Sequence, residues 1–545
     1  AIRNVSGNNT LSGSVTLASP SAIGITEGTL TISGSLIGDY DLTKLGTESL
    51  TLSGSNTHSG VTTISAGTLT LGKSDVFENS ASLTISGGTF DIGAFSDTVG
   101  AVTLSAGSIT GTSGVLTGSS YEITNASGTT TISAILGGAG TLTKSGAGNL
   151  TLSGDNTFTG TATLSQGTLI AAHGNALGTS TDTSAVITSG ATLGLQGGIT
   201  FAKPITASGT GVSNSGAILN ISDNNTITST VTMLVASSIG SAEGTLTIRG
   251  AICCGGGALH LTKVGNGSLI FSGSNTYSGN TTVSAGTLIF GADNVIPDGR
   301  NLTISGGTLD IGTYNDTVNA LTLSGGSITG TIGVLTGSSY AITNASGTTT
   351  ISAILGGAGT LTKSGAGNLT LSGDNTFTGT ATLSQGTLIA AHGNALGTST
   401  ATSFTIASGT TLGIQGDITF SKPITVSGNG FSGLGAILNV SGNNTITSAV
   451  TMAAASRIGS TADTLTISGV LSGSNASWSL LKQGVGTITL SGNNSYTGTT
   501  TINEGTLIAA HANALGTSAS ARVISDGATL GLEGNITFAK LISGS

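Results

Sequence analysis

Three histidines close the same phrase, Leu-Ile-Ala-Ala-His, at His173, His392 and His511. An imidazole can serve as a general base or a metal ligand, but either task needs partners at close range. These histidines belong to separate copies of a repeat and lie more than a hundred residues apart. They cannot converge within one chain, and they read as structural or surface residues. Asp91 with Asp97, echoed by Asp310 with Asp316, sits in GGTxDIGxxxDT segments. Paired acids could do the acid–base work of a polysaccharide lyase, yet that chemistry wants an Arg or Lys nearby, and these segments hold none. Asp155 and Asp374 are replaced by Ser55, Ser274 and Asn493 in equivalent copies, so an Asx-type turn accounts for all five. Cys253 and Cys254 are adjacent and could take a metal or form a strained disulfide. Ser472 and Gly473 stand at the same offset, so the pair reads as a loop insertion with incidental thiols. The glycine-rich calcium nonapeptide does not occur. No catalytic residue, cofactor site or metal site is expected, and the chain reads as a non-enzyme.

The elements that would position such residues are repeats. LSGDNTFTG at Leu152–Gly160 returns unchanged at Leu371–Gly379, with looser copies beginning at Leu52, Phe271 and Leu490. A catalytic site is needed once, whereas a structural unit recurs along a structure. Residues 118–184 and 337–403 differ at two positions only, Glu122 against Ala341 and Asp182 against Ala401. This sets a 219-residue superrepeat: 1–216, 217–435 and a partial 436–545, expected to run as one solenoid. The asparagines Asn56, Asn156, Asn275, Asn375 and Asn494 are spaced 100, 119, 100 and 119 apart. Each is read as a structural turn residue. The preceding Lys44, Lys144, Lys263, Lys363 and Lys482 keep the same beat, a row too widely spaced for a basic patch. Tyr40, Leu259 and Trp478 share the 219 register and suggest an interior or coil-edge apolar slot, with carbohydrate stacking as a lesser use.

Gly67, Gly88, Gly107, Gly128, Gly148 and Gly167 step by 19 to 21 residues. Leu-Thr-Leu and Val-Thr-Leu triplets alternate in polarity, which is the strand pattern. Coils of about 20 residues with short strands and Gly/Asn corners predict an all-β, parallel β-solenoid. Each coil would rise one strand spacing, about 4.8 Å, so the motif would recur about every 24 to 29 Å. Antiparallel sandwiches are the weaker reading, because they do not need a 20-residue subperiod. Cross-β stacking between chains is a third.

Composition narrows the function. Of 545 residues 90 are Gly, and charged residues are 7%. With net charge −9 and 14 Lys plus Arg, the chain lacks the clustered cations that nucleic acid requires. Mean hydropathy is +0.33, yet the longest apolar run is four residues, far short of the roughly 20 of a membrane-spanning helix. No signal peptide is visible at AIRNVSGNNT, and both ends read as cuts through a longer protein.

The stretch GAGTLTKSGAGNLTLSGDNTFTGTATLSQGTL, Gly138–Leu169, closely resembles the passenger-associated repeat of bacterial autotransporters. The pattern is G-x-G-x-L-x-L-x-G-x-N-x-aromatic-x-G followed by a T-x-I/L-x-x-G-T-L strand. Five copies of about 30 residues occur; the first departs with His58 in the aromatic slot and Glu48 near its glycines. The resemblance implies a right-handed parallel β-helix, extracellular, displayed on or released from a Gram-negative surface. The expected function is a structural or adhesive surface stalk or fibre, serving adhesion, aggregation or a biofilm scaffold. Expected partners are other copies of itself, cell-surface glycans or other cells, with no nucleic acid. The alternatives are the β-helical stalk of an autotransporter toxin or enzyme whose active module lies outside this segment, and a glycan-binding module.

Overall fold

The computed structural model describes residues 2–473, 475, 477–518, 521–539 and 541–544. Ala1 and Ser545, the outer bounds of the first and third superrepeats, lie outside them. The chain forms a parallel β-solenoid of about 26 turns of roughly 21 residues. Every strand pairing among the described residues is parallel, which overturns the antiparallel sandwich. The chain divides into two compact units, Ala1–Gly279 and Asn280–Ser545.

One coil of the first unit shows the logic. Ile135–Gly137, Thr141–Lys144 and Asn149–Leu152 are three short strands separated by tight corners. Within Asn149–Leu152, Leu150 and Leu152 are buried, whereas Asn149 and Thr151 face outward. Successive side chains of a strand point to opposite faces, so the Leu-Thr-Leu triplets place every leucine inside. Coils then stack residue on residue. Tyr121 pairs with Leu142, Leu142 with Ala162 and Ala162 with Ala185 on one face. Thr130, Leu150, Leu169 and Leu193 follow one another on the next. Each fully buried leucine contributes about 1.5–3 kcal/mol, and the aliphatic column runs through the coils of each unit. The second unit repeats the arrangement with Leu361 on Ala381 and Leu369 on Leu388.

The third face is less regular, and it is where the nine-residue motif falls. Residues 153–160 carry no strand. Two motif glycines let the backbone pass close to the coil beneath. A Cβ on Gly154 would lie 2.4 Å from the Ala134 carbonyl oxygen, and one on Gly160 would lie 2.3 Å from that of Gly140. Corners are not uniform. Asp97–Thr110 and Val231–Ser241 run straight through a bend as single long strands. One-turn 3-10 segments, Val212–Asn214 and Phe431–Gly433, mark the same place in each unit. There Ile205 pairs with Val231, 26 residues on, so the coil is longer than the expected 20.

Candidate functional site

The motif asparagines form the most regular polar feature of the molecule. Asn156 is fully buried. Its Oδ1 accepts the Leu136 N–H of the coil before at 2.8 Å, and its Nδ2 donates to the Ala176 carbonyl of the coil after at 2.7 Å. Where residues 153–160 leave the ladder, the amide therefore supplies two bonds to main-chain groups, beside direct ones such as Thr157 N–H to the Leu136 carbonyl at 2.8 Å. In the second unit Asn375 bridges Leu355 N–H and the Ala395 carbonyl, and Asn494 bridges Leu471 N–H and the Ala514 carbonyl. Asn56 accepts Leu36 N–H and Asn275 accepts Ile252 N–H, both at 2.8 Å. Leaving such buried main-chain groups unpaired costs about 1–3 kcal/mol each, which is why an amide with one acceptor and two donors suits the position.

Sequence reasoning missed other members of this row. Asn225 and Asn444 accept Ile199 and Ile418 N–H, and their own amides donate to Asn220 and Asn439. Asp97 does the same with a carboxylate, its Oδ2 accepting Val76 and Phe77 N–H at 2.8 and 3.2 Å. Asp316 accepts Ile296 N–H at 2.9 Å. The second oxygen of each, Oδ1, is buried without a hydrogen-bond partner. Burial pushes the Asp97 carboxyl up to about 6 and that of Asp316 up to about 7, against the main-chain bonds that favour the charged form. Asp91 and Asp310 are spent locally on Gly93 and Gly312 N–H. The paired acids are thus divided between a buried brace and a surface turn.

The lysine row is inside the solenoid. Lys44, Lys144, Lys263, Lys363 and Lys482 are all at most 1% exposed. Each occupies the inward phase of its strand, as in Leu142–Thr143–Lys144, where Leu142 and Lys144 are buried. The ammonium groups end at the corner and donate to main-chain carbonyls. Lys44 reaches Leu45, Gly46 and Ala66 at 3.1, 2.8 and 3.0 Å, and Lys144 reaches Gly146 and Gln166. Burial lowers all five to about 8. Period-2 phasing of the Leu-Thr-Lys triplet was the available signal. Lys203 and Lys422 are buried likewise, donating to Ser180 and Ser399 carbonyls.

The motif's aromatic slot is core. His58, Phe158, Tyr277, Phe377 and Tyr496 are all at most 1% exposed. Phe158 packs against Tyr121 with ring centroids 6.0 Å apart, and Phe377 against Tyr340 at 5.9 Å. Where the slot is polar, a hydroxyl meets it: Thr62 Oγ1 lies 2.8 Å from His58 Nε2, and Thr500 Oγ1 2.7 Å from Tyr496 Oη. Beside the two phenylalanines the same position is Ala162 or Ala381. His58 is therefore buried, and desolvation lowers its pKa.

Outside, the recurring histidines meet carboxylates from the adjacent coil. His173 Nδ1 lies 3.7 Å from Asp155 Oδ1, and His392 Nδ1 lies 3.6 Å from Asp374 Oδ1, all substantially exposed. Nδ1 already accepts the Asn175 or Asn394 N–H, so each contact becomes an ion pair only when the ring is protonated. Asp155 accepts the Asn175 amide of the next coil at 2.8 Å, so it joins coils rather than closing its own turn. Cys253 and Cys254 end strand Ile252–Cys254 and are not in a disulfide. Tyr40 is 46% exposed, and Leu259 and Trp478 are half-buried, so their shared slot is the coil edge and not the interior. No helix among the described residues is long and apolar enough to cross a membrane.

The passenger-associated-transport-repeat family model matches residues 42–71, 142–171, 261–290, 361–390 and 480–509. Each match runs from the strand bearing a buried lysine, through the asparagine brace, to the following Gly-Thr-Leu strand. The chain is similar to the Adhesin BmaC autotransporter of Brucella suis biovar 1 (strain 1330), with 32% identity over 95% of this chain. It spans 14% of that protein's length. No solved structure matches the chain.

Proposed function

Because this is a passenger-repeat chain of the autotransporter type, we propose that it is a non-enzymatic adhesive segment, carried outside a Gram-negative outer membrane. The observation that carries this reading is the similarity to a protein named as an adhesin along nearly all of this chain. The geometry supports it. Inward positions are committed to aliphatic packing and to the Asn, Asp and Lys braces. Outward positions are largely Thr, Ser and Asn, a neutral polar surface repeated coil after coil. We assign the five motif asparagines, Asn56, Asn156, Asn275, Asn375 and Asn494, a structural role where the motif segment leaves the strand ladder. The superrepeats 1–216, 217–435 and 436–545 serve as increments of length within one solenoid. Cells or other copies of the chain are the partners. Cells displaying the chain should attach to host-cell monolayers or to one another more than cells lacking it, and the purified chain should compete in a saturable manner. Equal attachment with and without the chain sinks the reading.

A further inference from the structure

A cleft of about 530 Å³ opens in the second unit beside Trp478, lined also by Thr451, Met452, Ser472, Ser495 and Thr497. Its volume is in the range of small-molecule sites, and such sites join an apolar wall to a few polar groups. The indole is half-buried, and its main chain is held on both sides. Trp478 N–H donates to the Asn475 carbonyl at 3.0 Å. Gly498 in the following coil comes so close that a Cβ there would meet the Trp478 carbonyl oxygen at 1.8 Å. Met452 is fully buried and forms the floor beneath the cleft. Ser472 Oγ lies 3.4 Å from Thr451 Oγ1. Among the described residues, Ser495 Oγ and Thr497 Oγ1 have no hydrogen-bond partner in the protein. No Asp, Glu, Lys or Arg lines the cleft among the described residues.

We propose that this cleft binds a neutral pyranose ring of a glycan, a reading that rests on the adhesive function above and names its ligand class. The indole face matches the C–H face of a sugar ring, whose edge hydroxyls exchange hydrogen bonds with the serine and threonine hydroxyls. An acidic sugar or a phosphate would find no cation here. The counterpart in the first unit is built differently. Leu259 replaces the tryptophan, and Cys253 and Cys254 replace Ser472 and Gly473. Ser278, in the place of Thr497, already donates to the Gly257 carbonyl, with Cys254 Sγ 3.2 Å away. The coil around Leu259 therefore lacks the site, and Tyr40 is the one other aromatic residue at this register.

The chain has one tryptophan, so its emission reports directly on the cleft. The full chain is titrated with neutral trisaccharides of glucose, galactose and mannose, with free sialic acid as the acidic probe. A saturable emission change is expected with at least one neutral sugar and none with the acidic one. By calorimetry, Trp478→Ala should weaken that binding at least about tenfold, or about 1.4 kcal/mol. Trp478→Phe should retain most of it, and Thr497→Val should weaken it with an unchanged circular dichroism spectrum. No saturable response to any neutral sugar, or equal binding by well-folded Trp478→Ala, overturns the site. If cells displaying the chain still attach in that event, the cleft fails and the adhesive reading stands. If sugars bind but attachment does not depend on the chain, the reverse holds.

Discussion

Asp97 and Asp316 occupy positions that asparagine fills elsewhere in the row, and this makes them the residues whose contribution to stability fades as pH rises from acid to neutral. Their carboxyls are raised to about 6 and about 7 from 3.8. A raised folded value means that the folded chain holds a proton which the unfolded chain has released. The contribution is therefore complete below about pH 4 and is lost as pH rises through 6 to 7, on the order of 3 kcal/mol for Asp97 and about 4 kcal/mol for Asp316 at most. The urea midpoint should fall over that window, and Asp97→Asn with Asp316→Asn should flatten the slope and raise the midpoint at pH 8. An unchanged slope in the double variant would refute the assignment. The buried lysines act in the opposite sense. Lys144 and Lys363 are lowered to about 8, so between pH 8 and 10 unfolding takes up a proton and the folded state gains stability. The midpoint should climb to about pH 10, then fall as Tyr121 and Tyr340, raised to about 12, ionise first in the unfolded chain. Lys144→Met with Lys363→Met should shrink the climb between pH 8 and 10 in the same titration.

Between elements, pairs of side chains are chosen together. Tyr496 meets Thr500, whereas Phe158 stands in the copy that has Ala162. Thr500→Ala should cost about 1–3 kcal/mol by stranding a buried hydroxyl. Tyr496→Phe added to it should recover much of that loss, because it recreates the pairing of the second motif copy. A double-mutant cycle by chemical denaturation measures the coupling, and additivity would argue against it. The motif corner gives a steric counterpart. Gly160→Ala drives a methyl against the Gly140 carbonyl and should cost about 3 kcal/mol or more. Gly128→Ala has open space around its Cβ and only a left-handed backbone, φ +66°, to oppose it, so it should cost about 1–2 kcal/mol. Thermal unfolding of the two variants should rank them in that order.

At the scale of the whole molecule, each coil is supported by the coils on either side, so damage should stay local. Leu169 lies between Leu150 and Leu193 in its column. Leu169→Asp should raise hydrogen exchange in the coils around 142–152 and 185–195, and leave Thr387–Ala390, the matching strand of the second unit, at its wild-type rate. Exchange raised evenly along the chain would mean a single cooperative body instead of nearest-neighbour stacking.

Periodicity alone made the coil legible, because a 20-residue beat and period-2 triplets are statements about local chain geometry that only a parallel stack satisfies many times over. It placed the leucines inside and the threonines outside. It did not place the lysines, because burying an ammonium is unfavourable until a corner offers carbonyls from two successive coils, as Gly46 and Ala66 do for Lys44. Nor did it join Asp97 to the asparagine row, since the two share no flanking letters and meet only as Oδ atoms facing main-chain N–H groups one coil below. Trp478 could be read as an edge residue from its register. Its cleft, however, depends on Met452, Ser472 and Thr497, which come from three different coils. Stacking brings those residues together, and the one-dimensional order of the chain carries no record of it.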